Sequence, residues 1–282
     1  MSTSLSHDLK AFLHQQGRLR VWSIIVTIMG DVVETTGGTI SIAALIDICT
    51  SLDIEPQAVR TAMSRLTKEG WVERIPDGRS TLYRFSDHRR GEYNDATRTI
   101  YACPTSAPKG WITGVLPPWT QTKKQALITA MGAVHPMIIN QHIAVWADAY
   151  DSLLPDDCRA VLTIFHNLPE TMAHDALDHI SPSPQDELIT VLLDFGRRVQ
   201  HTDTFSAEDA LIIRIIMIHF WRRLVLRHIP IHSPFGEETW PLPKLHALMA
   251  ETYPALAKQS ASYLSDEVDE DMVISRFQQI KN

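Results

Sequence analysis

Apolar side chains recur at helical spacing along most of this chain, interrupted by short runs rich in β-branched and aromatic residues. Leu5, Leu9, Phe12 and Leu13 fall at i, i+4, i+7 and i+8 and predict a short amphipathic helix within residues 1–17, ended by Gln15-Gln16-Gly17. Val21, Trp22, Ile24, Ile25, Ile28, Met29 and Val32 predict a buried helix that stops between Gly30 and Thr36. Gly37-Gly38 then makes a turn, and Thr39 to Ile42 suits a small strand. Ser41 is placed to cap a helix running through Ala43, Ala44, Leu45, Ile46 and Ile48.

The clearest pattern lies between Glu55 and Gly70. Pro56 suits a first helical turn, because its missing N–H has no partner there in any case. Ala58, Val59, Ala62, Met63 and Leu66 mark one face. At about 100° per residue, positions 57, 61, 64 and 68 fall within about 60° of one another on the other face, with 60 and 65 on the flanks. That stripe is Gln57, Arg60, Thr61, Ser64, Arg65 and Lys68, with no acid before Glu69; Gly70 ends the helix. Trp71, Val72 and Ile75, then Leu82, Tyr83 and Phe85, flank Pro76-Asp77-Gly78-Arg79 and predict a hairpin. Three helices followed by a hairpin with arginines Arg74 and Arg79 beside its turn is the order of a winged helix-turn-helix.

The polar stretch from His88 to Asp95, with Pro104 and Pro108 beyond it, reads as a linker that is helical in part. Trp111 to Leu116 reads as a strand, Thr122 to Met131 as a helix and Met137 to Trp146 as an apolar segment. Ala160 to Phe165 and Pro169 to His179 then repeat strand and helix, so a ferredoxin-like α+β domain is expected. After Ser183 every apolar pattern is helical: Leu188 to Phe195, a long helix from a Ser206 cap through Leu211 to Val225, Lys244 to Leu256, and Asp269 to Ile280. The expected fold is mainly α with α+β, in three domains over residues 1–88, 89–182 and 183–282.

A chain of 282 residues, 44% hydrophobic and 21% charged, has length for two or three domains with their own cores. The Val21 to Met29 run is about half a membrane span, and no small-residue cleavage site follows it, so a cytoplasmic protein without membrane contact is expected. Cys49, Cys103 and Cys158 form no Cys-x-x-Cys and imply no disulfide framework. The net charge of −7 is unevenly spread: residues 1–90 carry 11 basic and 10 acidic side chains, residues 91–282 carry 15 and 23. Within 54–90 the count is 8 basic to 5 acidic, a local balance that suits a DNA-facing surface better than the whole-chain charge does.

Gly-x-Ser-x-Gly, Walker and dinucleotide glycine motifs are missing from the sequence. The histidine pairs His135/His142 and His174/His179 lack metal-ligand spacing, so no metal, no cofactor and no enzymatic activity are expected. Gln, Arg, Ser and Thr on an exposed helix face pair with base edges, and Arg and Lys neutralise phosphate. Gln57, Arg60, Thr61, Ser64, Arg65 and Lys68 are therefore the candidate groove-facing residues, with Arg74 and Arg79 on the wing. A winged helix that docks a protein is the alternative, and an acyl-CoA-handling enzyme a third class.

The segment from Trp22 to Phe85 resembles the PaaX-like family of transcriptional repressors, named for phenylacetate degradation. The residues concerned are Trp22-Ser23-Ile24-Ile25-Val26-Thr27-Ile28-Met29-Gly30-Asp31, Ala58 to Leu66, Lys68-Glu69-Gly70-Trp71, and Gly78-Arg79 leading to Tyr83-Arg84-Phe85. Trp111, Leu127, Met131-Gly132, Trp146, Trp221-Arg222-Arg223-Leu224 and Trp240-Pro241 continue it more sparsely, while His228 to Pro234 and Leu242 depart from the family's pattern. The resemblance implies a homodimeric repressor on a palindromic operator, released by an acyl-CoA effector, aryl-CoA among them. Arg214, Arg222, Arg223 and Arg227 form a basic cluster on the long helix, and Arg214, Trp221, Arg222 and Arg223 are the candidate effector contacts.

Overall fold

The computed structural model describes residues 2–17, 19–78, 80–102, 111–130, 137–139, 142–147, 154–166, 184–202, 204–226, 241–264 and 269–278. The chain forms helices with two small antiparallel sheets, and it divides into two compact units. One unit joins residues 1–103 to 190–225 and 245–282; the other comprises residues 104–189 and 226–244.

In the first unit, helix α1 (Ser2–Gln15) buries Leu5, Leu9 and Leu13, the residues its periodicity selects. Helix α2 (Val21–Thr27) is prolonged to Thr35, inside the range where the sequence expects it to stop. It widens into a π-helical turn (Ile28–Val32) and tightens into a 3₁₀ turn (Val33–Thr35), keeping Ile28, Met29, Val32 and Val33 in the core. Strand β1 (Ile40–Ser41) leads into helix α3 (Ile42–Ser51), whose Ala44 N–H donates to the Ser41 hydroxyl at 3.1 Å, the expected cap. Helix α4 (Pro56–Lys68) starts on proline, and Gly70 follows it at φ +73°, the left-handed cap that a side chain resists. Strands β2 (Val72–Asp77) and β3 (Ser80–Phe85) pair antiparallel from Val72↔Phe85 to Asp77↔Ser80, and β1 joins the far side of β3. The turn falls at Gly78, and Arg79 lies outside the described residues.

The segment expected as a linker, helical in part, forms a helix, α5 (Arg90–Tyr101), reached through a 3₁₀ turn at Asp87–Arg89. Its last turn is anchored, because Ile100 and Tyr101 are buried and the Ile100 carbonyl accepts from Trp221 Nε1 at 2.7 Å. Within the polar run that suggested a linker, Glu92, Asn94 and Asp95 are exposed, whereas Arg90 pairs with Glu34 and Tyr93 donates to the Gly30 carbonyl at 3.1 Å.

The second unit is built on strand β4 (Trp111–Val115), helix α6 (Gln121–Ala130), strands β5 (Met137–Ile139) and β6 (Ile143–Ala147), helix α7 (Asp156–Arg159) and strand β7 (Thr163–His166). All pairings are antiparallel in the order β5-β6-β4-β7. Ile112, Leu116, Leu127, Ala144, Trp146, Leu154 and Leu162 form its core. The helix expected at Pro169 to His179 lies outside the described residues.

The remaining helices are α8 (Pro184–Gln200), α9 (Ala207–Val225), α10 (Pro241–Leu264) and α11 (Glu270–Gln278). Helix α9 is buried on every side from Ala210 to Trp221, as a helix that is apolar all round must be. It runs along α1, where Phe12 and Phe220 meet at 5.2 Å between ring centres. Helix α10 extends further than its periodicity suggested and passes through Pro254.

The core of the second unit leaves no room for a methyl group on β4. A Cβ at Gly114 would lie 2.9 Å from two ring carbons of Trp146, itself 1% exposed. Gly114→Ala is expected to destabilise the protein by about 1–3 kcal/mol through overpacking. Gly91→Ala, with nothing within 4 Å of its Cβ position, is the control, and thermal unfolding of the two variants compares them.

Candidate nucleic-acid interface and its buried support

Helix α4 divides its residues as the periodicity requires. Val59, Ala62, Met63 and Leu66 are buried, while Gln57, Arg60, Thr61, Ser64, Arg65 and Lys68 are all exposed on the opposite side. The inner face packs on α2 and α3, so the helix is held from behind and its polar row points outward. Arg74 is exposed on β2 with its guanidinium 5.8 Å from the Tyr83 ring centre.

The cations near α4 differ sharply in how they are occupied. Arg84 pairs with Glu73 and Asp87, Arg89 with Glu92, Arg90 with Glu34, and Arg98 with Asp95, all at 2.6–2.9 Å. Carboxylates therefore cancel most of the positive charge that follows the hairpin. Among the described residues, Arg60 and Lys68 form no ion pair, and Arg65 pairs only with Glu69, four residues along the same helix. The outer row of α4 thus presents positive charge that no carboxylate of another described element neutralises.

Behind this surface lies a buried ionic cluster that the sequence pattern did not assemble. Asp31, on the π-helical turn, is 2% exposed. Its Oδ2 accepts from Arg214 Nε at 2.7 Å; its Oδ1 accepts from Arg276 Nη1 at 3.2 Å, Tyr253 Oη at 2.7 Å and Tyr101 Oη at 2.5 Å. Each tyrosine donates to the carboxylate and accepts from an arginine, Tyr253 from Arg214 at 3.1 Å and Tyr101 from Arg276 at 2.8 Å. The π turn leaves the Gly30 and Asp31 carbonyls available, and they accept from Arg276 at 2.9 Å and Arg214 at 2.8 Å. Burial by itself would raise the Asp31 carboxyl; the two guanidinium groups and the tyrosine hydrogen bonds outweigh it and hold it below its ordinary 3.8. Burial raises the Tyr253 hydroxyl to about 12, so both tyrosines stay protonated donors at neutral pH.

This cluster settles where the expected effector residues stand. Arg214 is 1% exposed, with its Nε and Nη2 donors on Asp31, Thr35 and Tyr253. Trp221 is fully buried with its N–H on Ile100. Arg222 is half-buried and donates to the Ser23 carbonyl and hydroxyl at 3.0 and 2.7 Å. Arg223 is half-buried with its guanidinium 5.9 Å from the Phe220 ring centre. Of the basic cluster, Arg214 faces the interior while Arg222 and Arg223 are half-buried, and Arg227 lies outside the described residues. A cleft of about 720 Å³ opens elsewhere in this unit, between α3, β1 and Tyr263; among the described residues its charged lining residue is Asp47.

Two of the three charges have a warning in the sequence. Asp31 directly follows an apolar run, and Arg214 interrupts Leu211 to Phe220, an otherwise apolar stretch but for His219. A charge inside an apolar helix needs an opposite charge, but pairing positions 31 and 214 requires the fold.

His219 sits one helical turn from this cluster, in contact with α2. Thr27 gives its hydroxyl proton to the Ser23 carbonyl at 3.1 Å and so accepts from His219 Nδ1, also at 3.1 Å. Burial, reinforced by Arg222 and Arg223, lowers His219 to about 3. The ring is thus neutral in the folded protein and takes up a proton on unfolding below pH 6.5, so its contribution to stability falls with pH between 6.5 and about 3. From pH 7 to about pH 5 the loss from this residue is expected to be roughly 2 kcal/mol, and urea unfolding of His219→Gln should show a correspondingly flatter pH dependence. Asp31 acts in the same sense only below 3.8, because its folded value is the lower one. Asp31→Asn strips both arginines of their counter-charge and is expected to cost about 3–5 kcal/mol at pH 7, measured by the same unfolding.

Comparison with known proteins shows what this chain is similar to. Residues 20–89 match the model of the family described as PaaX-like protein, a span that contains α2, the π turn, α3, α4 and the hairpin. Over 265 residues the chain is 24% identical to the transcriptional repressor PaaX of Escherichia coli (strain K12), covering 87% of this chain and 83% of that protein. Among solved structures it is similar to the uncharacterized protein Rv0674 from Mycobacterium tuberculosis, at 18% identity and TM-score 0.49, over 86% of this chain and 97% of that one. Residues 20–89 are thus a PaaX-like domain, in a chain whose similarity to a PaaX repressor runs through most of its length.

Proposed function

We propose that this protein is a DNA-binding transcriptional repressor whose N-terminal segment, residues 1–88, is a winged helix-turn-helix with α4 as the helix that enters the major groove. The observation that carries this is the outer row of α4: six exposed polar residues, two of them cations without an ion-pair partner among the described residues, on a helix clamped from behind. At 13 residues α4 is about 20 Å long, and a groove about 12 Å wide admits it. The β2–β3 hairpin would serve as the wing, bringing Arg74 and Arg79 to the backbone or minor groove. That the family match spans these same elements, and that a similar protein is named a repressor, supports the same conclusion.

The second unit has the β-α-β-β-α-β order and the strand order of a ferredoxin-like domain, which we take it to be. On this view the protein is a cytoplasmic regulator and not an enzyme, a homodimer that meets a palindromic operator with two copies of α4. Its effector would be an acyl-CoA thioester, with the Arg222–Arg223 end of α9 as the phosphate contact and Arg214 and Trp221 as its support from within.

Duplexes selected from a randomised library by the purified protein provide the test. Binding should weaken steeply as salt rises, because phosphate neutralisation releases counterions. Arg60→Ala is expected to weaken the selected duplex by about 1–3 kcal/mol with an unchanged circular dichroism spectrum. Failure to select any duplex would refute the DNA-binding function. Titrating acyl-CoA thioesters against the matching free acids, with release of the duplex as readout, tests the effector class.

A further inference from the structure

We infer that Glu69 and Trp22 hold Arg65 in the orientation that recognises guanine, so that Glu69 raises sequence discrimination while lowering affinity for DNA in general. The inference rests on α4 being the DNA-reading helix.

Three facts about Glu69 belong together. Its Oε1 accepts from Arg65 Nε at 2.7 Å. It occupies the C-cap of α4, where the helix dipole disfavours a carboxylate. It is the acid immediately beside an outer face that otherwise carries Arg60, Arg65 and Lys68, so it repels any phosphate that this face attracts. Helix stability and general DNA affinity both disfavour an acid at this position. Orientation of Arg65 is the compensating gain.

Trp22 supplies the second restraint. It lies on α2, which packs on α4, and the Arg65 guanidinium carbon is 5.8 Å from its ring centre. An arginine held on one edge by a carboxylate and alongside an indole ring loses much of its rotamer freedom before it meets a partner. Because Nε is engaged, the two terminal nitrogens remain for an acceptor pair, and the end of a guanidinium matches O6 and N7 of guanine in the major groove. Arg65 stays 60% exposed while held, as a base-reading side chain must.

The experiment uses the full-length protein and the selected duplex. Arg65→Ala first identifies the base pair at which preference is lost, expected to be G·C. Wild type, Glu69→Ala and Arg65→Lys are then compared on the selected duplex, on one altered at that pair, and on unrelated sequence. Glu69→Ala should bind unrelated DNA about threefold more tightly, since one repulsive charge is gone, and discriminate at the identified pair about tenfold less well. Arg65→Lys should keep the salt dependence and lose the discrimination. If Glu69→Ala tightens all three duplexes equally with discrimination intact, Glu69 only repels phosphate and the inference is overturned. If discrimination falls equally at every position of the site, the helix itself has been disturbed and the inference is likewise overturned. If wild type selects no duplex, the DNA-binding function fails first, an outcome distinct from either.

Discussion

One carboxylate, Asp31, organises the first unit. It is buried on a turn of the second helix and neutralised by Arg214 from α9 and Arg276 from α11. Taking three charged groups out of water is costly, and such clusters contribute little net stability compared with apolar packing of similar volume. Their effect is on specificity: any arrangement that separates Asp31 from either guanidinium strands a buried charge. The helix that backs α4 can therefore meet α9, α10 and α11 in one way only, with Tyr101 and Tyr253 filling the remaining hydrogen-bonding positions.

This arrangement bears on how a ligand could influence the DNA-facing surface. The N-terminal elements and α9 share a single interior, through Asp31–Arg214, Thr27–His219 and Ser23–Arg222. A displacement of α9 has no soft linker in which to dissipate, because the segment after the hairpin is itself a helix anchored by Trp221. Coupling between sites requires an element with two arrangements that both sites bias, and here a rigid body moving as a whole is better suited to that role than a hinge between α4 and α9.

Much of the local structure was legible in the sequence because it is decided locally. The Ser41 cap, Pro56, Gly70, the turn at Gly78 and the two faces of α4 follow from chemistry within a few residues. The errors arose where distant residues decide. The polar run from His88 to Asp95 reads as a linker because Tyr101, which pins its helix, is committed to a carboxylate 70 positions away. Arg214 reads as part of a basic cluster with Arg222 and Arg223 because helical spacing does not reveal that Arg214 is turned onto Asp31. Of the candidate interface, the α4 row was legible and the Glu69–Arg65–Trp22 contact was not: an i, i+4 pair shows in sequence, but its importance depends on which indole lies beside it.

The π-helical turn at Ile28–Val32 has a consequence for how this domain tolerates change. Its wider coil sets the angular offset between the Ile24 and Ile25 face of α2 and the Asp31 side chain. Deleting or inserting a single residue between Val26 and Gly30 would rotate one of these against the other by about 100°. The apolar residues of this stretch can be exchanged for others of like volume, but their number cannot change: across related chains this segment should drift in composition while remaining free of gaps.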